Sequence, residues 1–254
     1  MQVLCFEIYV LFLIPVNFIF TGLPYTMVRT EMKQMAYKKQ GQVFSLVHDN
    51  RPLPGCTISR RIYEDDSLYI LLFSLGKGTD ISDTAYGQSH FFYGLSGTAV
   101  IRQGEEQVLK EGDAFISKPL VPLSVSAPED TVYLEIGLKK EDKTMNTVIN
   151  EKGVFQLKDL VPYGEEQIIN KGLIENDKVR FAVISLAKGA TLPDHAAPRD
   201  ALLFALDGEA VFTHEGKDYV FKAGDNFAMK KGDRHHLKAT TNFKFALLLT
   251  EPEE

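Results

Sequence analysis

Imidazole is the side chain most often used to hold a divalent metal or to pass a proton near neutral pH. This chain of 254 residues carries six: His48, His90, His195, His214, His235 and His236. Two fall where a pair of strands could bring them together. His195 ends the segment Gly189-Ala190-Thr191-Leu192-Pro193-Asp194-His195, and His235 and His236 follow the turn Lys231-Gly232-Asp233-Arg234. Side chains alternate along a strand, so an inward His235 sends His236 out to the surface. His214 stands close to the turn glycine Gly216 and reads as solvated, while His48 has no partner near it in sequence. Other chemistries are missing from the sequence. There is no glycine-rich phosphate loop and no Gly-x-Ser-x-Gly nucleophile elbow.

The elements that must position these residues occur twice. Val43-Phe44-Ser45-Leu46 is echoed by Val154-Phe155-Gln156-Leu157, and Ser74-Leu75-Gly76-Lys77-Gly78 by Ser185-Leu186-Ala187-Lys188-Gly189. Leu95-Ser96-Gly97-Thr98-Ala99-Val100 is echoed by Leu206-Asp207-Gly208-Glu209-Ala210-Val211. The offset is 111 in each case (Val43 to Val154, Ser74 to Ser185, Gly97 to Gly208). It becomes 112 from Gly104 and Gly216 onward, and Lys110 to Phe115 then matches Lys222 to Phe227. Such a register, kept over many segments, marks two copies of one domain, at 42–140 and 153–252. The charged stretch Lys139-Lys140-Glu141-Asp142-Lys143 opens the linker.

Each copy reads as short strands separated by turns with Gly and Asp. Lys178 to Leu186 is rich in β-branched and apolar residues, and Lys217 to Lys222 alternates. Ala201 to Leu206 is a continuous apolar run that must be covered on both faces, one lining a barrel and the other packed on a second sheet or the sister copy. No amphipathic helical stretch interrupts. The fold class expected is all-β, a sandwich or barrel in each copy.

The second copy resembles the cupin superfamily. The stretch from His195 through Asp200 to Gly208 is similar to the first cupin motif, which begins His-x-His, continues through a Glu and closes on a Gly eight residues later. Gly224-Asp225 followed by Gly232-Asp233-Arg234-His235 is similar to the second motif. With the repeat, the chain resembles a bicupin over about 200 residues, which implies two tandem double-stranded β-helix (jelly-roll) barrels. It departs from the pattern in three places: Ala197 replaces the second His, Asp200 replaces the Glu, and Lys230 replaces a Pro. The resemblance implies His195, Asp200 and His235 as ligands of a divalent transition metal such as Fe, Mn, Zn or Ni, two His and one carboxylate forming a facial triad. Arg199 would then pair with a substrate carboxylate. The function implied is a cupin that binds a metal and a small organic molecule, of the dioxygenase or isomerase type. The alternative is a small-ligand-binding or sensor cupin without metal.

The first copy serves as an internal control. The repeat maps His195 onto Thr84, Asp200 onto Ser89 and His235 onto Leu123, which is no ligand set. His90 follows Ser89, so alternation aims it at the outer face, and Tyr86, Phe91, Phe92 and Tyr93 read as core and interface. The first copy is therefore expected to be a scaffold that covers an apolar sheet face of the second.

Composition narrows the partners. Lys and Arg number 28 against 34 Asp and Glu, a net charge of −6, and no basic stripe interleaves with aromatics. A nucleic-acid partner is not expected. Two cysteines exclude a disulfide framework and favour a reducing compartment, the cytoplasm. Short edge strands favour further pairing as a homodimer. Residues 1–24 are almost wholly apolar, with Gln2, Glu7, Asn17 and Thr21 interrupting, and no Lys or Arg precedes Arg29. The preferred reading places the true start at Met27, Met32 or Met35. A membrane anchor and a cleaved signal are the other two readings.

Overall fold

The computed structural model describes residues 39–64, 66, 68–139, 153–165 and 168–251. The apolar leader and most of the linker lie outside the described residues. The first repeat contains β1 (Val43–Phe44), β2 (Thr57–Glu64), β3 (Leu68–Leu75), β4 (Asp80–Thr84) and β5 (His90–Ser96). It continues with β6 (Thr98–Gln103), β7 (Glu105–Lys110), β8 (Asp113–Ile116), β9 (Leu123–Ser126) and β10 (Thr131–Leu138). The second contains β11 (Phe155–Gln156), β12 (Ile168–Glu175), β13 (Val179–Leu186), β14 (Thr191–Ala196) and β15 (Asp200–Asp207). β16 (Glu209–His214), β17 (Lys217–Lys222), β18 (Asn226–Met229), β19 (Arg234–Ala239) and β20 (Phe243–Thr250) complete it.

The strands form two six-stranded and two four-stranded sheets, paired as jelly-roll barrels. The orders are β11-β8-β5-β10-β3-β2 with β4-β9-β6-β7, and β1-β18-β15-β20-β13-β12 with β14-β19-β16-β17. The all-β, two-barrel expectation holds. The repeats also exchange their first strands. β1 pairs with β18 of the second barrel, and β11 pairs with β8 of the first. In both exchanges the N–H of the leucine that follows the strand is bound by the other barrel. The Leu46 N–H donates to Asn226 Oδ1 at 2.9 Å, and the Leu157 N–H donates to the Gly112 carbonyl at 3.0 Å.

Alternation assigns each long strand two faces. In β15, Ala201, Leu203 and Ala205 join the interior of the second barrel, while Leu202 and Phe204 join the core shared by both barrels. In β10, Val132, Leu134 and Ile136 face the shared core, while Tyr133 faces the first barrel's interior. The shared core is stitched by aromatic edges: Phe91 meets Phe181 at 5.3 Å and Tyr93 meets Phe204 at 6.1 Å between ring centroids. Burying such side chains stabilises by roughly 1.5–3 kcal/mol each, so the apolar runs hold the barrels together. Gly208 turns β15 into β16 at φ +72, and a Cβ there would run into the Asn242 carbonyl. Only glycine suits that corner.

Candidate functional site

β14 and β19 lie side by side in the second barrel with His195 directly opposite His235. Their ring centroids are 4.2 Å apart. His195 is exposed, whereas His235 is buried beside Phe212, 5.7 Å away. His195 Nδ1 lies 2.8 Å from the Pro193 carbonyl and His235 Nδ1 lies 3.3 Å from the Asp233 carbonyl. A carbonyl only accepts, so both Nδ1 atoms carry the proton and donate, which leaves each neutral ring its Nε2 lone pair. Burial pushes His235 down to about 4, with His195 and His214 adding to the effect and the Asp233 carbonyl opposing it. His235 is thus neutral at pH 7. As alternation along β19 requires, His236 turns to the other face, where its Nε2 meets Thr213 Oγ1 at 3.0 Å.

Asp200 does not join this pair. It opens β15 one residue before Ala201, in step with Leu202 and Phe204, and so faces away from the second barrel's interior. Its Oδ1 accepts the Lys231 N–H at 2.8 Å, bracing the turn that leads into β19. Among the described residues no group of three His, Cys, Asp or Glu side chains is placed to hold a metal ion. Arg199 pairs with Glu251, Nε to Oε1 at 2.8 Å, and Lys231 reaches the same carboxylate at 3.3 Å.

His214 is not solvated, contrary to the sequence reading. It is buried, with Nε2 2.9 Å from Asp233 Oδ2 and its ring 5.2 Å from Phe227. The cover comes from the exchanged strand. Gly41 donates to the Ala228 carbonyl at 2.9 Å and accepts from Tyr219 Oη at 2.7 Å, which lays the start of the first repeat over this histidine.

The first barrel also departs from expectation. His90 points inward, and its Nδ1 lies 2.7 Å from Glu135 Oε1, with both side chains almost wholly buried. Tyr69 Oη donates to Glu135 at 3.2 Å and lies 3.3 Å from His90 Nδ1. The Tyr86 ring lies 3.7 Å from the His90 ring, centroid to centroid. Sequence reasoning sent His90 outward because it took Ser89, the counterpart of Asp200, as the inward position. The parity is off by one residue in both copies. One signal was present: Glu135 is the sole charge in the apolar run Thr131–Leu138, and a buried charge needs a partner.

Residues 182–250 match the family profile described as Cupin domain. The chain is similar to a solved structure, the Cupin 2 conserved barrel domain protein from Leptotrichia buccalis. The two are 26% identical with a TM-score of 0.74, over 86% of this chain and 100% of that one. A salicylate 1,2-dioxygenase from Pseudaminobacter salicylatoxidans shares the fold at 10% identity and a TM-score of 0.54, over 75% of this chain and 73% of that one. None of the curated proteins compared with the chain matches it. Among the described residues, no helix is long and apolar enough to cross a membrane.

Proposed function

We propose, on the premise that this chain is a cupin-superfamily protein with two barrels in tandem, that it binds a small organic molecule in its second barrel. His195 and His235 are the polar contacts, and burial keeps His235 neutral at pH 7. The observation that carries this reading is the pair of opposed imidazoles whose Nδ1 atoms are committed to carbonyls, leaving two Nε2 acceptors for a ligand's hydroxyl or amine protons. Thermal stabilisation by a panel of small metabolites, with and without a chelator, is the test. Stabilisation that survives the chelator and is lost in His195→Ala supports it. Stabilisation abolished by the chelator turns the argument to the second reading.

That second reading is a metal-dependent enzyme of the dioxygenase or isomerase type, and the same free Nε2 pair favours it. A divalent Fe, Mn, Zn or Ni ion would find His195 and His235 as donors, and when bound it would supply a Lewis acid or an oxygen-binding centre. The residues fit only in part. Asp200 turns the other way, so the triad implied by the resemblance lacks its carboxylate. Arg199 would meet a substrate carboxylate only by giving up Glu251. Metal analysis of protein purified without a histidine tag separates the two, since one equivalent of ion retained through dialysis favours the enzyme. For assembly we propose a homodimer through the edge strands, checked by light scattering.

A further inference from the structure

The interior of the first barrel holds a polar cluster that neither reading above uses. Four groups share it: the His90–Glu135 pair, Tyr69, and Tyr133, which sits two residues before Glu135 on the same face of β10. The Tyr133 hydroxyl is wholly buried and has no hydrogen-bond partner among the described residues, although its ring is stacked on Phe73 at 5.0 Å. A buried hydroxyl without a partner is rare and costly, and it signals a missing acceptor. Burial first, and the Glu135 charge second, hold the Tyr69, Tyr86 and Tyr133 phenols far above their ordinary range, so all three stay protonated donors. His90 Nδ1 is committed to Glu135, and no hydrogen bond among the described residues engages its Nε2. The Tyr86 ring, half-buried, lies over the imidazole from the connection between β4 and β5, outside any strand. A Cβ at Gly137 would strike the Tyr69 ring, so glycine there gives Tyr69 its place beside Glu135.

We propose that the first barrel is a second ligand site, for a small uncharged ring-sized molecule with a carbonyl or hydroxyl oxygen. The ligand's oxygen accepts from Tyr133, and its body takes the place over His90 that the Tyr86 ring holds. An anion is disfavoured because Glu135 already fills the site with negative charge. A cation is disfavoured because the unpartnered Tyr133 hydroxyl offers it a proton and the carboxylate is already engaged by His90 and Tyr69.

Cyclohexanone, cyclohexanecarboxylate and cyclohexylammonium serve as size-matched probes, with binding read by saturation-transfer NMR on the full chain. Cyclohexanone should bind the wild type at millimolar concentration and bind Tyr86→Ala at least tenfold more tightly. Tyr133→Phe should weaken it at least tenfold in either background, and His195→Ala should leave it unchanged. Tyr133→Phe should also raise the Tm of the free protein, since it removes an unpaired buried hydroxyl. If Tyr86→Ala fails to fold, the contrast between wild type and Tyr133→Phe carries the test. Equal binding to Tyr133→Phe, stronger binding of either charged probe, or no binding to the wild type overturns the proposal. Loss of binding in His195→Ala instead moves the ketone to the second barrel, and also overturns it.

Discussion

The two barrels share one register and fill it with opposite chemistry. In the first, Tyr69 faces Gly137 across the β3–β10 pair and His90 faces Gly137 across β5–β10. The same ladder positions in the second barrel hold Arg180, Leu249 and Ala201, and Leu247 stands where the first has Glu135. At the other end the pattern inverts. Thr84 and Leu123 pair in the first barrel where His195 and His235 pair in the second. The scaffold therefore stands without the His90–Glu135 pair at one place and without the paired histidines at the other, and each set is an addition specific to its barrel. Replacing Glu135 by Leu, the residue of the second barrel, should break this most sharply. It takes the carboxylate from the buried His90 imidazole, and breaking a buried pair in this way costs about 3–5 kcal/mol. The double change His90→Ala with Glu135→Leu puts the second barrel's residues, Ala201 and Leu247, at both positions and should cost less than Glu135→Leu alone. Urea unfolding measures both, and strictly additive losses would show that the pair is not coupled.

Gly137 tests the same comparison by volume. Gly137→Leu introduces the side chain of Leu249 into the space of the Tyr69 ring. Overpacking of this kind costs roughly 1–3 kcal/mol. Adding Tyr69→Arg recreates the Arg180–Leu249 pair and should recover part of the loss. A double variant no more stable than Gly137→Leu would mean that the two barrels differ in backbone and not only in side chains.

The repeat and the strand pattern were legible because turn glycines and alternation are local signals. Two all-β copies, each a sandwich or a barrel, followed from them, and the resemblance to the cupin motifs narrowed this to tandem jelly-roll barrels. The exchange of β1 and β11 was not legible, since two-residue strands carry no periodicity and their partners lie in the other repeat. That exchange also decides the fate of His214, which local sequence leaves in solvent. Which face of β5 and β15 points inward was misread by one residue. Continuous apolar runs such as Ala201 to Leu206 are buried on both sides and give no parity, so the motif spacing had to supply it. Asp200 and Ser89 took the inward place that belongs to Ala201 and His90. The opposition of His195 and His235 was legible, because a turn and an alternating strand fix their register.

His235 should leave a mark on pH dependence that the first barrel, with Leu123 at this place, lacks. Its folded value near 4 lies below the ordinary 6.5, so the unfolded chain binds this proton more readily. The contribution is full above pH 6.5 and is lost as the pH falls from about 6.5 towards 4. Discounted for partial solvent access, it amounts to about 2 kcal/mol. Wild type should lose about that much more stability than His235→Leu over this window, in matched urea titrations. Parallel pH profiles for the two proteins would show that the imidazole is solvated in the native state.

The smallest expected effect separates the role drawn from motif spacing from the role drawn from strand parity. Asp200→Asn keeps an oxygen for the Lys231 N–H and removes only the charge from that hydrogen bond, a change of about 1 kcal/mol or less. If Asp200 faces the shared core, this substitution leaves zinc uptake by His195 and His235 untouched in equilibrium dialysis, while His195→Ala reduces it. If Asp200 reaches the imidazoles, the loss of one anionic donor should weaken uptake at least as much as His195→Ala does. A structural brace and a metal ligand thus differ more in zinc affinity than in stability, and the affinity measurement decides between them.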